Sequence, residues 1–240
     1  MLDKNNVVPL YYQLMQHIKD QIEKGILKEN DKIPAERELC ERYNVSRMTV
    51  RQALDELVRE GVIYRKRGVG TFVAKPKVNQ ELSKVMSFTE DMLSRNMKPG
   101  SKTLKMVVVP APKNVAEQLK IEEGEDVIEL YRLRLADNEP MAVERSFLLY
   151  NKAYRILEES IDNKSLYVVL REKCNLNIIW AREIIEIEYS NREIAELLGI
   201  KQNSPVFLRK RTSFLSDDSP IEYVESYYRA DRYKFSVVLR

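Results

Sequence analysis

The chain has 240 residues, enough for two domains that each bury a core; it holds no apolar run of membrane-spanning length, and its opening MLDKNN lacks a signal peptide's basic and apolar regions. Its two cysteines, Cys40 and Cys174, match no metal or redox spacing, and a single histidine, His17, argues against a His-based metal site or catalytic triad, so a cytoplasmic protein with no metal, cofactor or membrane attachment is expected. The net charge of +3 is unevenly placed: residues 1–75 carry 14 Lys and Arg against 11 Asp and Glu, whereas the remaining 165 residues carry 26 of each.

Pro9 and Leu10 open a predicted helix through Lys24, with Leu10, Leu14, Ile18 and Ile22 on one stripe and Gly25 as its stop. A second helix is expected over residues 35–43, with Pro34 in its first turn. Asn44 and Val45 leave room only for a tight turn before Ser46, which can cap a third helix by accepting a hydrogen bond from a free backbone N–H. Val50, Ala53, Leu54, Leu57 and Val58 form the buried stripe of that helix, while Met48, Thr49, Arg51 and Gln52 lie around its open face and Arg47 sits in the first turn. Arginine can reach guanine O6 and N7 with two hydrogen bonds, and a threonine methyl can touch a thymine methyl. Alone, this pattern equally describes a solvated amphipathic helix. Its context favours DNA, because two helices joined by so short a turn, the second presenting arginines, make a helix-turn-helix.

Residues 62–65 (VIYR) and 71–74 (TFVA) are short β-type runs around Lys66, Arg67, Gly68, Val69 and Gly70. This predicts a hairpin with a basic tip, whose glycines permit positive φ and let backbone N–H groups approach a phosphate. Residues 61–75 contain four basic side chains and no acidic one.

The string PAERELCERYNVSRMTVRQALDELVREGVIYRKRGVGTFV, residues 34–73, resembles the winged helix-turn-helix of the GntR family of bacterial transcription regulators along nearly the whole motif. The resemblance implies DNA contacts at Arg37, Arg47, Thr49, Arg51 and Gly68, with Arg67 and Gly70 beside them.

Pro76 disfavours helix in the residue before it, giving a predicted winged helix-turn-helix domain over 1–75, a linker over 76–80 and a second domain over 81–240. The second domain contains a weak internal repeat. VAEQLKI (115–121) recurs as IAELLGI (194–200), DNEP (137–140) as DDSP (217–220), and Ser146 as Ser226, at an offset of 79 to 80 residues. Each half reads helix, strand, turn, strand, which predicts four strands in a largely antiparallel sheet with packed helices, an α+β fold, and a ligand cleft between the halves.

Alternation in residues 127–136 puts Ile128, Leu130, Arg132 and Arg134 on one face. Two arginines on one face either carry ion pairs or bind an anionic ligand. Hairpin register decides whether Glu144 or Arg145 joins them. Ser87, ahead of Phe88, Thr89, Glu90 and Asp91, reads as a helix cap, as does Ser165 ahead of Leu166. Glu222, Val224, Ser226 and Tyr228 alternate on one further strand face, as polar ligand partners or as a half-buried strand.

From about residue 80 onward the chain resembles the UTRA effector domain of the HutC branch of the GntR family, which has a chorismate-lyase-like fold. MSFTEDM, YRLRL, AVERSF, KSLY and SYYRADRY are most similar to members that sense amino-sugar phosphates. Carried over by position, the resemblance implies phosphate contacts at Ser87, Phe88, Thr89, Arg132, Arg134 and Ser165, and sugar contacts at Glu144, Tyr167, Glu222 and Tyr228. The expectation is a homodimeric repressor that binds a palindromic double-stranded operator and an amino-sugar phosphate such as N-acetylglucosamine 6-phosphate or glucosamine 6-phosphate. Another anionic effector fits the arginines equally. A lyase-like enzyme is the rival from a different class, but the second domain has no histidine and no recognisable nucleophile with a paired base.

Overall fold

A computed structural model describes residues 2–4 and 6–239. The chain divides into two compact units, residues 1–77 and 78–240. In the first, helices α1 (Leu10–Glu23), α2 (Glu36–Tyr43) and α3 (Arg47–Arg59) are followed by the hairpin strands β1 (Ile63–Lys66) and β2 (Gly70–Val73). Leu14 and Ile18 of α1, Leu39 of α2 and Val50, Leu54 and Leu57 of α3 meet in one core that Ile63 and Val73 close from the hairpin side. Val58, expected on the buried stripe, is only partly covered at its edge. Pro34 stands outside α2, whose N-cap is Ala35, so its fixed φ shapes the approach to the helix rather than its first turn. Asn44 takes the left-handed conformation that ends α2, which makes the tight turn possible.

The second unit begins earlier than expected. Strand β3 (Val78–Glu81) takes residues 78–80 out of the predicted linker and pairs in parallel with β10 (Tyr233–Ser236). A partner so far along the chain leaves no local signal. Between them run α4 (Phe88–Ser94), β4 (Pro99–Pro110), α5 (Lys113–Leu119), β5 (Asp126–Ala136), β6 (Glu139–Leu149), α6 (Tyr150–Ala153), a 3₁₀ turn (Tyr154–Glu158), α7 (Leu166–Cys174), β7 (Trp180–Tyr189), α8 (Arg192–Leu198), β8 (Pro205–Phe214) and β9 (Pro220–Arg229).

Six of these strands form one antiparallel sheet in the order β4-β5-β6-β9-β8-β7. The internal repeat is real, but each half is strand, helix, strand, strand. The expected four-stranded sheet therefore gains an outer strand on each side, β4 and β7. Both are edge strands, and β7 is exposed along most of its length, so neither carries the buried apolar run that marks an inner strand. One sheet face, with Val127, Phe147 and Tyr223, is covered by α5, and Val143 on the same face is covered by α8. The other, with Ile128, Leu130 and Leu148, is covered by α7, and α4 packs through Phe88 and Met92 near Ala142 and Tyr228. Cys40 and Cys174 are free thiols, each half-buried beside a core. No helix among the described residues is long and apolar enough to cross a membrane.

Candidate functional site

The first unit presents a surface built on α3. Ser46 caps it, its Oγ accepting from the Thr49 backbone N–H at 3.1 Å, and the buried stripe turns Arg47, Met48, Arg51 and Gln52 outward. The Thr49 hydroxyl lies 2.8 Å from the Ser46 Oγ, so its hydrogen bonding is partly spent on the cap. Arg51 pairs at 3.7 Å with Glu36 of α2, and Arg37 with Glu41 at 2.9 Å; such exposed pairs are weak and exchange readily for a phosphate or base edge. At the hairpin tip Arg67 is exposed and Gly68 and Gly70 have φ of +75° and +144°, conformations that L side chains rarely adopt. Arg65 of the hairpin pairs with Asp55 of α3 at 2.6 Å, a further exposed pair, while the packing of Ile63 and Val73 into the core holds the hairpin.

The second unit has a small polar cleft on the sheet face beneath α4 and α7. It spans both repeats. β5 supplies Arg132 and Arg134, β6 Glu144, β9 Glu222, Ser226 and Tyr228, and the helix starts Ser87, Phe88 and Tyr167. Arg132 stands opposite Glu144, and Tyr131 opposite Arg145, which settles the register in favour of Glu144. Arg132 Nη2 donates to Glu144 Oε1, while Arg134 lies over the Phe88 ring at 4.6 Å and donates to Thr89 Oγ1 at 3.3 Å. Ser165 holds the N-cap position of α7 but makes no side-chain cap; its hydroxyl donates instead to Ser87 Oγ at 3.4 Å. Ser87 is the cap of α4, as expected, accepting from Glu90 N at 3.2 Å. Ser87, Phe88, Arg132, Arg134, Glu144, Tyr167, Glu222 and Tyr228 thus meet in one cleft, with Thr89 and Ser165 one hydrogen bond behind it.

Arg132 and Arg134 are 3% and 2% exposed, and Nε and Nη1 of each have no hydrogen-bond partner among the described residues. Leaving charged donors buried and unmatched is costly. Burial, then the neighbouring Arg132 charge, pushes Arg134 down to about 10, still protonated at neutral pH. Burial would raise the Glu144 carboxyl, but Arg132 and Arg134 outweigh it and hold it below its ordinary value. Glu222 shifts the other way, raised by burial and by Glu144, and it accepts from Ser213 Oγ at 2.9 Å and Tyr167 OH at 3.1 Å.

Sequence reasoning missed Arg209, Arg211 and Glu183, which also line the cleft. The signal was present: alternation in β8 puts both arginines on one face, and Arg211 lies 79 residues after Arg132, the repeat offset. Four arginines against three glutamates leave a formal positive surplus that grows where Glu222 is protonated. Chemically the cleft offers buried guanidinium donors that suit an anion, with carboxylate and hydroxyl hydrogen-bond partners among them.

The family description "Bacterial regulatory proteins, gntR family" matches residues 10–73, and the UTRA domain matches residues 94–234. The chain is 40% identical to the HTH-type transcriptional repressor NagR of Bacillus subtilis over 98% of its length and 96% of that protein's. It is 30% identical to the mannosyl-D-glycerate transport/metabolism system repressor MngR of Escherichia coli, covering 96% of this chain and 95% of the other. Among solved structures, PhnF from Mycobacterium smegmatis superposes with a TM-score of 0.68 at 30% identity, covering 96% of this chain and 99% of PhnF. These relatives are transcription regulators rather than enzymes. The chain therefore belongs to the gntR family of bacterial regulatory proteins, as a transcriptional repressor of the HutC type with a winged helix-turn-helix and a UTRA domain.

Proposed function

We propose that this repressor is controlled by an amino-sugar phosphate, such as N-acetylglucosamine 6-phosphate or glucosamine 6-phosphate, whose phosphate sits against Arg132 and Arg134. The observation that carries the reading is the set of buried guanidinium nitrogens on these two residues that lack partners among the described residues. A phosphate monoester brings nearly two negative charges and three strong acceptor oxygens, which match that surplus of donors. Ser87, Thr89 and Ser165 supply hydroxyls at the same end, with Phe88 under Arg134. Beyond them Glu144, Tyr167, Glu222 and Tyr228 offer the acceptors and donors that a sugar ring needs.

In the first unit Arg37, Arg47, Thr49, Arg51, Arg67, Gly68 and Gly70 contact operator DNA. One winged helix reads only a few base pairs, so the protein acts as a homodimer on a palindromic operator. Effector binding draws α4 onto the cleft and, through the chain at residues 75–79, alters the presentation of the two DNA-binding units. A coupling of about 1–3 kcal/mol suffices to change DNA affinity several-fold to a hundredfold.

Thermal unfolding with matched ligands tests the effector class: the two amino-sugar 6-phosphates, other sugar phosphates, and the same sugars unphosphorylated. A ligand at a hundred times its Kd stabilises the unit that binds it by about 2.7 kcal/mol, a readable shift. A shift with a phosphorylated amino sugar alone is expected. Equal shifts with unphosphorylated sugars would remove the phosphate from the reading.

A further inference from the structure

Gln80 is a neutral polar side chain, only 8% exposed, at the start of the second unit, and nothing in the effector or DNA contacts accounts for it. Its Oε1 accepts from Arg209 Nη1 at 2.7 Å, a bond between positions 129 residues apart. Arg209 is itself 2% exposed, with its guanidinium 4.8 Å from the Tyr228 ring and 5.0 Å from the Phe235 ring. Its Nε donates to Glu183 Oε1 at 2.7 Å, and Arg211 Nε competes for the same oxygen at 3.3 Å. Arg211 in turn donates from Nη1 to the Met86 carbonyl at 3.2 Å, one residue before Ser87.

Glu183, Arg209, Arg211 and Tyr228 all line the cleft, so they feel whatever enters it. One carboxylate serves two guanidinium groups. An acceptor that engages Arg211 shifts Glu183 toward Arg209, and a ring that presses on Tyr228 moves the surface against which Arg209 stacks. Either change reaches Gln80. Strand β3, which carries Gln80, is anchored by Val78 in the core beside Tyr228 and Tyr233, and among the described residues it pairs with β10 alone, over four residues of a two-stranded parallel ladder, the weaker kind of pairing. It is also the first element after the chain leaves the DNA-binding unit.

We infer that Gln80 is a positioning residue that carries effector occupancy from the Glu183–Arg209–Arg211 cluster to β3, and so to the segment leading to the DNA-binding unit. This rests on the reading of the cleft as the effector site. The test uses the full-length chain, an operator selected from random DNA with the wild-type protein, and N-acetylglucosamine 6-phosphate as probe. Gln80→Leu removes the acceptor, while Gln80→Glu keeps it and adds charge complementarity to Arg209. Wild type is expected to change its operator affinity about 5- to 150-fold on adding the probe. Gln80→Leu is expected to bind the probe as wild type does, with that ratio collapsing toward one, and Gln80→Glu to retain it. An unchanged ratio in Gln80→Leu, or an equal collapse in both variants, overturns the assignment.

Where the probe neither stabilises wild type nor alters its operator affinity, the effector reading for that ligand fails, and Gln80 is judged without ligand. A change of fivefold or more in the operator affinity of Gln80→Leu, at an unaltered unfolding midpoint and with Gln80→Glu at the wild-type value, then supports the link. Wild-type affinity in Gln80→Leu, or an altered midpoint, contradicts it.

Discussion

Arg134 is held at a cost: its charge is buried, it donates to a threonine hydroxyl and stacks on a phenyl ring, the nearby Arg132 charge opposes its own, and two of its nitrogens lack hydrogen bonds among the described residues. Replacing it by an apolar side chain of similar volume removes the cost of burying that unmatched charge, while Arg132 still pairs with Glu144. Arg134→Met should therefore raise the unfolding midpoint of the ligand-free protein and abolish its shift with sugar phosphate. A lower midpoint with ligand binding intact would make Arg134 a structural residue. Glu222 gives a pH signature. Because burial and Glu144 raise its folded value above the ordinary 4.5, the folded state binds the proton more tightly than the unfolded chain does. Its contribution is complete below 4.5 and is lost as pH rises through the raised value. Glu222→Gln, fixed in the neutral form, should gain stability relative to wild type across that rise, as followed by denaturant unfolding in a pH series; a constant difference would show Glu222 to be unperturbed. At this scale much of the cleft was legible, since strand alternation alone pairs Arg132 with Arg134. Arg209 and Arg211 obey the same rule. They were passed over because no motif drew attention to β8, although the repeat maps Arg132 onto Arg211.

Elements carry the DNA-binding half. The third helix and the hairpin are signalled locally, by a cap, an apolar stripe and glycines at positive φ within residues 34–73, although the core that holds them also takes Leu14 and Ile18 of α1 and Ile33. Their roles separate by substitution. Arg51→Ala should cost about 1–3 kcal/mol on operator and relax base preference, whereas Arg67→Ala on the hairpin tip should weaken all sequences alike and lower the salt slope by about one. Competition binding against random DNA at several salt concentrations distinguishes them, and equal losses on operator and random DNA for Arg51→Ala would demote it to a backbone contact. What remained illegible among the elements is non-local. β3 finds its partner near the other end of the chain, and β4 and β7 are edge strands, β7 leaving even Ile184, Ile187 and Tyr189 exposed. Ser165 shows a subtler limit: sequence places it at a helix start, but only packing decides that its hydroxyl turns to Ser87 instead of the helix backbone.

For the whole molecule, an internal duplication builds one sheet, and the cleft draws its cations from both halves, Arg132 and Arg134 from the first and Arg209 and Arg211 from the second. A ligand neutralising such a site changes the balance across the sheet rather than at one strand, which suits a regulator that has to transmit occupancy over a distance. The central claim is that a phosphorylated amino sugar sets DNA affinity. Fluorescence anisotropy of a labelled operator with the full-length protein, titrated with N-acetylglucosamine 6-phosphate and separately with N-acetylglucosamine, tests it most directly. The account predicts a change in operator affinity of about fivefold or more with the phosphate ester and none with the free sugar. Operator affinity unchanged at a phosphate-ester concentration that saturates the thermal shift would contradict it.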